Sequence, residues 1–198
     1  PSFTQFFFIL YRVNPSYAGI EGRPVLFLAH RQQWTGIEGA PATTTFSFHA
    51  PLNFGVNVGL DLYNDTRSIL NTNSFMLTAG YAIAFSKKDF LRFGLSGGLG
   101  FRNIDLSQVD NPSDPALLNA VENNLFLNGN FGISFQTGYL TVGVSMPNLF
   151  EPNLNNTSTF ENGRIAPLNE IVGHASYRFY MALDEVAFEP HVLYRYSE

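Results

Sequence analysis

Asn53-Phe-Gly-Val-Asn-Val-Gly-Leu-Asp-Leu-Tyr63 is the stretch that decides the fold class. Phe54, Val56, Val58, Leu60 and Leu62 fall on one parity, and Asn53, Gly55, Asn57, Gly59 and Asp61 on the other. A period of two marks a β-strand, whose side chains alternate between two faces. The pattern then recurs. Phe75, Leu77, Ala79, Tyr81, Ile83 and Phe85 oppose Ser74, Met76, Thr78, Gly80, Ala82, Ala84 and Ser86. Leu91, Phe93, Leu95, Leu99 and Phe101 oppose Arg92, Gly94, Ser96, Gly98, Gly100 and Arg102, with Gly97 as a gap in the apolar row. Segments near 125–136, 139–146, 170–182 and 187–197 behave alike, and those at 23–34 and 42–50 less cleanly. The pattern predicts about nine strands of roughly 9–14 residues, the length a tilted strand needs to cross a bilayer.

The connections alternate in length. Short turns are expected at Pro51–Asn53, Lys87–Asp89, Gln136–Gly138 and Leu183–Glu185, and long polar links at Thr35–Pro41, Asn64–Asn73, Leu106–Asn124 and Pro147–Leu168. Outer-membrane barrels keep tight turns on the periplasmic side and long loops outside. Composition agrees. Charged residues are 14% of the chain, against roughly 25% in soluble domains. Twenty Phe and nine Tyr supply strand-favouring aromatics. The longest apolar run, Phe6–Tyr11, is far short of the about 20 residues of a membrane helix.

Alternation alone leaves open a soluble barrel or sandwich with its apolar face inward. Strand length, loop asymmetry and scarce charge favour an antiparallel transmembrane outer-membrane β-barrel, integral to a bacterial outer membrane. Residues 23–198 would form the barrel, and 1–22 an N-terminal segment that is periplasmic or packed in the lumen. The chain opens without a charged leader or apolar core, which reads as a mature or trimmed form. Nine strands is an odd number, whereas bacterial barrels have even ones and no open edge is tolerated in lipid. A C-terminally incomplete chain of a larger barrel is therefore expected.

The formal charge of −5 is spread along the chain and gives no basic cluster for nucleic acid. There is no cysteine, so thiolate metal sites and disulfides are excluded. His30, His49, His174 and His191 stand on separate strands without metal-ligand spacing. The run Gly94–Gly100 lacks the Lys-Ser/Thr of a phosphate loop. No cofactor, metal or catalytic constellation is expected, and hence no enzyme. Lumen-facing candidates are Gly55, Gly59, Asp61, Arg92, Gly94, Gly98, Arg102 and Arg178. The glycines either leave room for a plug, a peptide or a channel, or ease curvature of the wall. Trp34, Tyr63, Phe85 and Phe101 suit an interfacial aromatic girdle. Asp114 as N-cap, with Pro115 after it, starts a short external helix to Glu122, whose Leu117, Leu118 and Val121 are candidates for a partner contact.

Three elements carry a family resemblance. They are Asn14-Pro-Ser-Tyr-Ala-Gly19, then Arg31-Gln-Gln-Trp-Thr-Gly-Ile-Glu-Gly-Ala-Pro-Ala-Thr43, then Thr141-Val-Gly-Val-Ser-Met-Pro-Asn-Leu149. Together they resemble the PorP/SprF family of type IX secretion-system outer-membrane proteins. Asn14, Pro15 and Gly19 match its first motif, and Arg31, Gln33, Trp34, Gly36, Gly39, Ala40, Pro41 and Thr43 its second. Ser16 stands where alanine is usual, and Asp65–Ser68 lacks a glycine common at that turn. The resemblance implies a barrel of more than nine strands. It also implies an accessory role in protein secretion or gliding motility. Periplasmic ring and lipoprotein components would be partners, as would the C-terminal domain of a secreted adhesin. From another class, an outer-membrane diffusion or ligand channel is the alternative. Such a channel would have an open, charged lumen; a binding barrel would have a plugged one. As a further expectation, Phe3–Tyr17 folds into the lumen onto the glycine-rich wall.

Overall fold

The computed structural model describes residues 10–34, 36, 37, 39–104, 125–149, 170–181 and 186–197. One nine-stranded antiparallel sheet dominates: β1 (Val25–Gln32), β2 (Ala42–Pro51), β3 (Val56–Arg67), β4 (Leu70–Ala84), β5 (Asp89–Ile104), β6 (Leu125–Thr137), β7 (Leu140–Met146), β8 (Glu170–Tyr177) and β11 (His191–Ser197). Neighbours in sequence are neighbours in the sheet, so it is an up-and-down meander. β9 (Phe179–Met181) and β10 (Val186–Phe188) form a two-stranded ribbon between β8 and β11. Among the described residues β1 and β11 are the two edges of the sheet. Two short elements precede it: helix α1 (Leu10–Val13) and a 3-10 turn at Pro15–Tyr17.

The polarity of the sheet is inverted relative to a soluble protein. Leu77 and Leu95 are 56% and 58% exposed, while Ser47 and Ser145, on the opposite face, are 1% exposed. Leu26, Leu28, Phe75, Phe101, Val144 and Val192 extend the exposed apolar face across the sheet. The alternation of the sequence thus resolves into apolar out and polar in, the pattern of a strand-built membrane wall. No described helix is long and apolar enough to cross a membrane.

The sheet curls around its polar face. Gly19 and Tyr17 lie two residues apart, yet Gly19 bonds His49 on β2 and Tyr17 reaches His174 on β8. In a flat sheet those strands, six spacings apart, would be about 29 Å from one another. Two residues of chain span about 7 Å. Only a strongly curved wall brings β2 and β8 to the same short segment, which is the geometry of a barrel.

Three boundaries differ from the sequence expectation, each for a local reason. Asn64–Asn73 is mostly not a loop: β3 and β4 run on to a tight turn at Ser68-Ile69, with Ser68 at φ 51°. There Asn64 Nδ2 donates to Asn71 Oδ1 (3.0 Å) and Asn73 Oδ1 (2.8 Å), and Asn71 donates to Thr66. A polar ladder makes the hairpin tip, and its polarity imitates a loop in sequence. Gly55, read as a lumen-facing strand residue, belongs instead to a 3-10 turn at Asn53–Gly55, with Phe54 at φ 60° and Gly55 at φ 80°. The last two strands are each interrupted, at Arg178 and at Glu189-Pro190. Pro190 has no N–H to give a ladder, and the Arg178 N–H turns to the Tyr139 carbonyl (2.9 Å).

The orientation is open to a direct test. Leu95→Arg is expected to cost about 2–4 kcal/mol of folding stability in lipid, as a cation near the midplane does. In a soluble barrel the same exposed position would tolerate arginine. Urea titration in phospholipid vesicles reads the difference, and a variant as stable as wild type contradicts a lipid-facing Leu95.

Candidate functional site

The inner face is lined by small polar side chains and glycines, and Leu10–Ile20 packs onto it. Every residue of Asn14–Gly19 is buried. Asn14 is the N-cap of the 3-10 turn: extended at φ −142°, it accepts the Ser16 N–H on Oδ1 (2.9 Å). Its Nδ2 donates to the carbonyls of Ile133 (3.3 Å) and Val144 (3.2 Å), which are paired residues on β6 and β7. One asparagine therefore caps the turn and clamps it to two strands. Pro15 occupies the first position of the turn, where its fixed φ and missing N–H cost nothing. Ser16 donates its hydroxyl to Ser134 (2.8 Å). Gly19 sits at φ 70°, where a β-carbon would strike the Asn57 side chain, so glycine is required twice over.

On the other side, Tyr11 Oη lies 2.6 Å from Thr78 Oγ1, which in turn lies 2.6 Å from Ser96 Oγ. The Tyr11 ring packs against His49 at 5.0 Å. Arg12 Nε is 2.9 Å from Asp61 Oδ2, Arg12 Nη1 donates to Thr45 (3.1 Å), and Ser47 donates a short bond to the same Asp61 carboxylate. Tyr17 Oη lies 2.9 Å from His174 Nδ1, and His174 Nε2 3.2 Å from His191 Nδ1. The backbone of the segment is also held: Ser145 donates to the Val13 carbonyl (2.7 Å).

Glycines make the space. A β-carbon would meet Tyr11 at Gly59, the Pro15 carbonyl and Ser16 nitrogen at Gly94, Asn14 at Gly132, and Tyr17 and Asn14 at Gly143. At Gly98 it would instead meet the backbone of β4, at Phe75 and Met76, so that glycine serves strand approach. Arg92 points inward and donates to Gln136 (2.8 Å), while Arg102 covers the Phe126 ring at 5.7 Å. Arg178 pairs with Glu189 in the break between β8 and β9 (Nε to Oε2, 2.8 Å). Burial raises the Glu189 carboxyl, but bonds from Arg178 and Ser176 outweigh it, so the group sits below its ordinary value. The Glu189 hydrogen bond likewise lifts Arg178 above its usual range.

The first and third motifs meet although about 130 residues separate them: Asn14 and Tyr17 touch Val144 and Gly143, and Val13, just before the first motif, accepts from Ser145. The second motif lies apart from them, in and beside the link from β1 to β2. Arg31 is exposed near the end of β1, and Gln33 N donates to Pro41 O (2.9 Å). Trp34, at φ 52°, Gly36 at 97° and Gly39 at 72° turn the chain, and Ala40 N closes onto Ile37 O (3.2 Å). Thr43 donates to Asp65 (2.7 Å), and Ser68 N to Gly39 O (3.1 Å), which fastens the link to the β3–β4 tip. Asp114, Leu117, Leu118 and Val121 lie outside the described residues. Thr78 and Ser96 fall in the polar rows of the sequence pattern, but their linked bonds to the segment, and the wall residues Ser47, Ser134 and Ser145, were not singled out. Their signal was parity: each shares a row with inward glycines or polar residues.

Among the described residues, the donors and acceptors of the site and the Arg12–Asp61 ion pair are aimed at its own chain. Among the described residues no group of three His, Cys, Asp or Glu is placed to hold a metal. Comparison with curated proteins and with solved structures returns no match. The family model described as type IX secretion system membrane protein PorP/SprF matches residues 1–198, and the chain belongs to that family.

Proposed function

We propose that this chain is a non-enzymatic, integral outer-membrane component of the type IX secretion and gliding machinery that holds other proteins. The C-terminal domain of an exported adhesin would bind on the long-link side, and periplasmic ring and lipoprotein components on the short-turn side. Family membership supports the machinery. The observation that carries binding over conduction is the packing of Leu10–Ile20 across the inner face from β2 to β8. A diffusion channel needs a continuous aqueous path, and this segment lies on the inner face along which that path would run. Long links from β1 to β2, β5 to β6 and β7 to β8 lie on one end, where the β3–β4 turn is the exception, and this asymmetry supports an outer-membrane orientation.

Two measurements on the purified full chain test the reading. Pull-down from membranes in mild detergent is expected to recover secretion components or a surface adhesin. In planar bilayers the wild-type protein is expected to conduct little, because the segment lies across the inner face. Recovery of no such protein, together with large steady conductance, favours the channel.

A further inference from the structure

We propose that the mouth of the barrel at its short-turn end receives an acidic peptide segment of a periplasmic partner, held by Lys87, Lys88 and Arg178 between tyrosine rings. This deepens the partner-binding reading above and rests on it. The whole sequence has two lysines, Lys87 and Lys88, adjacent to each other. Both stand in the turn from β4 to β5 and line one cleft of about 430 Å³ with Gln136, Tyr139, Arg178 and Tyr180. A chain of net charge −5 has thus placed its lysines, and one of its arginines, around a single opening.

Among the described lining residues, Lys87, Lys88 and Arg178 face one carboxylate, Glu189. Among the described residues neither lysine lies within ion-pair distance of a carboxylate. Asp89, the neighbouring acid, has its carboxylate taken by the hydroxyls of Ser86 (2.6 Å) and Thr137 (2.8 Å). Glu189 pairs with Arg178 and fixes its guanidinium at the cleft wall. Lys88 Nζ stands 5.5 Å from the Tyr139 ring centre, and the Tyr139 and Tyr180 rings lie 5.3 Å apart. Ammonium groups beside exposed phenol rings suit carboxylates interspersed with apolar or aromatic side chains.

Parity says which way the cleft opens. Gln136 and Phe90 share the inward row with the buried Ser134 and Arg92, and Thr141 shares it with the buried Gly143. The opening therefore faces the lumen mouth and not the apolar outer surface. A lipid headgroup would approach along that outer surface, so a peptide entering the mouth is the better occupant. Short turns mark the periplasmic end of such barrels, which sets the side from which the partner comes.

The test uses the full chain in detergent micelles and a fluorescein-labelled hexaglutamate peptide, with a Gly-Ser hexapeptide as neutral control. Wild type is expected to bind hexaglutamate in preference to the control, with affinity falling as salt rises. Lys87→Gln/Lys88→Gln is expected to weaken that binding by about tenfold or more, and Arg67→Gln, at the opposite rim, to leave it unchanged. Equal binding by the lysine variant, or no preference for hexaglutamate, overturns the proposal. So does a lysine-dependent interaction seen only with phosphatidylglycerol vesicles. Pull-down separates the two levels: recovery of secretion components by wild type and lysine variant alike rejects the cleft and leaves the function standing. Recovery by neither rejects the function itself.

Discussion

Gly94→Val is expected to drive the Asn14–Tyr17 turn off the inner face. A β-carbon at Gly94 would strike the Pro15 carbonyl and the Ser16 nitrogen, which are backbone and cannot rotate aside. The turn has little freedom to retreat, because Asn14 is bonded to β6 and β7 and Ser16 to Ser134. Overpacking a tight site costs about 1–3 kcal/mol when the surroundings can shift; here the turn must leave or the strand must bend. Gly97 supplies the matched control on the same strand: it faces outward, and a β-carbon there meets nothing within 4 Å. A cysteine placed at Ser16 reads the outcome through its reactivity with a polar maleimide. Fast labelling and higher bilayer conductance in Gly94→Val, with neither in Gly97→Val, is the expected pair of results. Equally slow labelling in both would show that the segment does not depend on the glycine wall.

The strands were legible in the sequence because the wall is built by one repeated rule. Each outward residue must be apolar for lipid and each inward one small or polar for the segment it faces. Asn57, Gly59 and Asp61 against Val56, Val58 and Leu60 show it most clearly. What alternation could not carry was the sign of the faces, since a soluble barrel has the same period. Exposure of Leu77 and Leu95 supplied it. The β3–β4 tip was misread because its stabilising contacts are side-chain amide bonds between Asn64, Asn71 and Asn73. Those have the composition of a loop and the geometry of a strand.

The inner site was half legible. Asn14-Pro15 at the head of a turn and Gly19 at its end are local signals, and the structure gives each a local role. The receiving wall was legible as a glycine-rich polar row, but not which of its residues bond the turn, because Ser134, Ser145 and His174 come from three strands far along the chain. Nothing in their own neighbourhoods distinguishes them from other inward polar residues. Their meaning arises only when the sheet curls and brings β6, β7 and β8 around the same turn. Gly132 and Gly143, inward by parity, acquire their partners only then, as the places where Asn14 and Tyr17 need room.

Asp61→Ala should be the most destabilising single truncation of the inner face. Its carboxylate receives Arg12 at 2.9 Å and Ser47, and the two charged side chains are 11% and 17% exposed. Removing one partner of such a buried pair costs about 3–5 kcal/mol, because the remaining charge loses a close counter-charge in a poorly solvated place. Arg12 also stands 4.9 Å from the Tyr63 ring and donates to Thr45, so some stabilisation persists and the lower end of that range is expected. Arg12→Ala alone leaves the carboxylate with Ser47 and should cost a similar amount. Pairwise coupling is the sharper measurement. If the pair pins the segment to β3, the double variant loses less than the two singles added together, with a coupling of about 0.5–3 kcal/mol. Ser16→Cys labelling should rise in both singles, since each frees the same segment. Strict additivity, with labelling unchanged, would mean that Arg12 and Asp61 stabilise segment and wall separately, and that the clamp at Asn14 holds the turn without them.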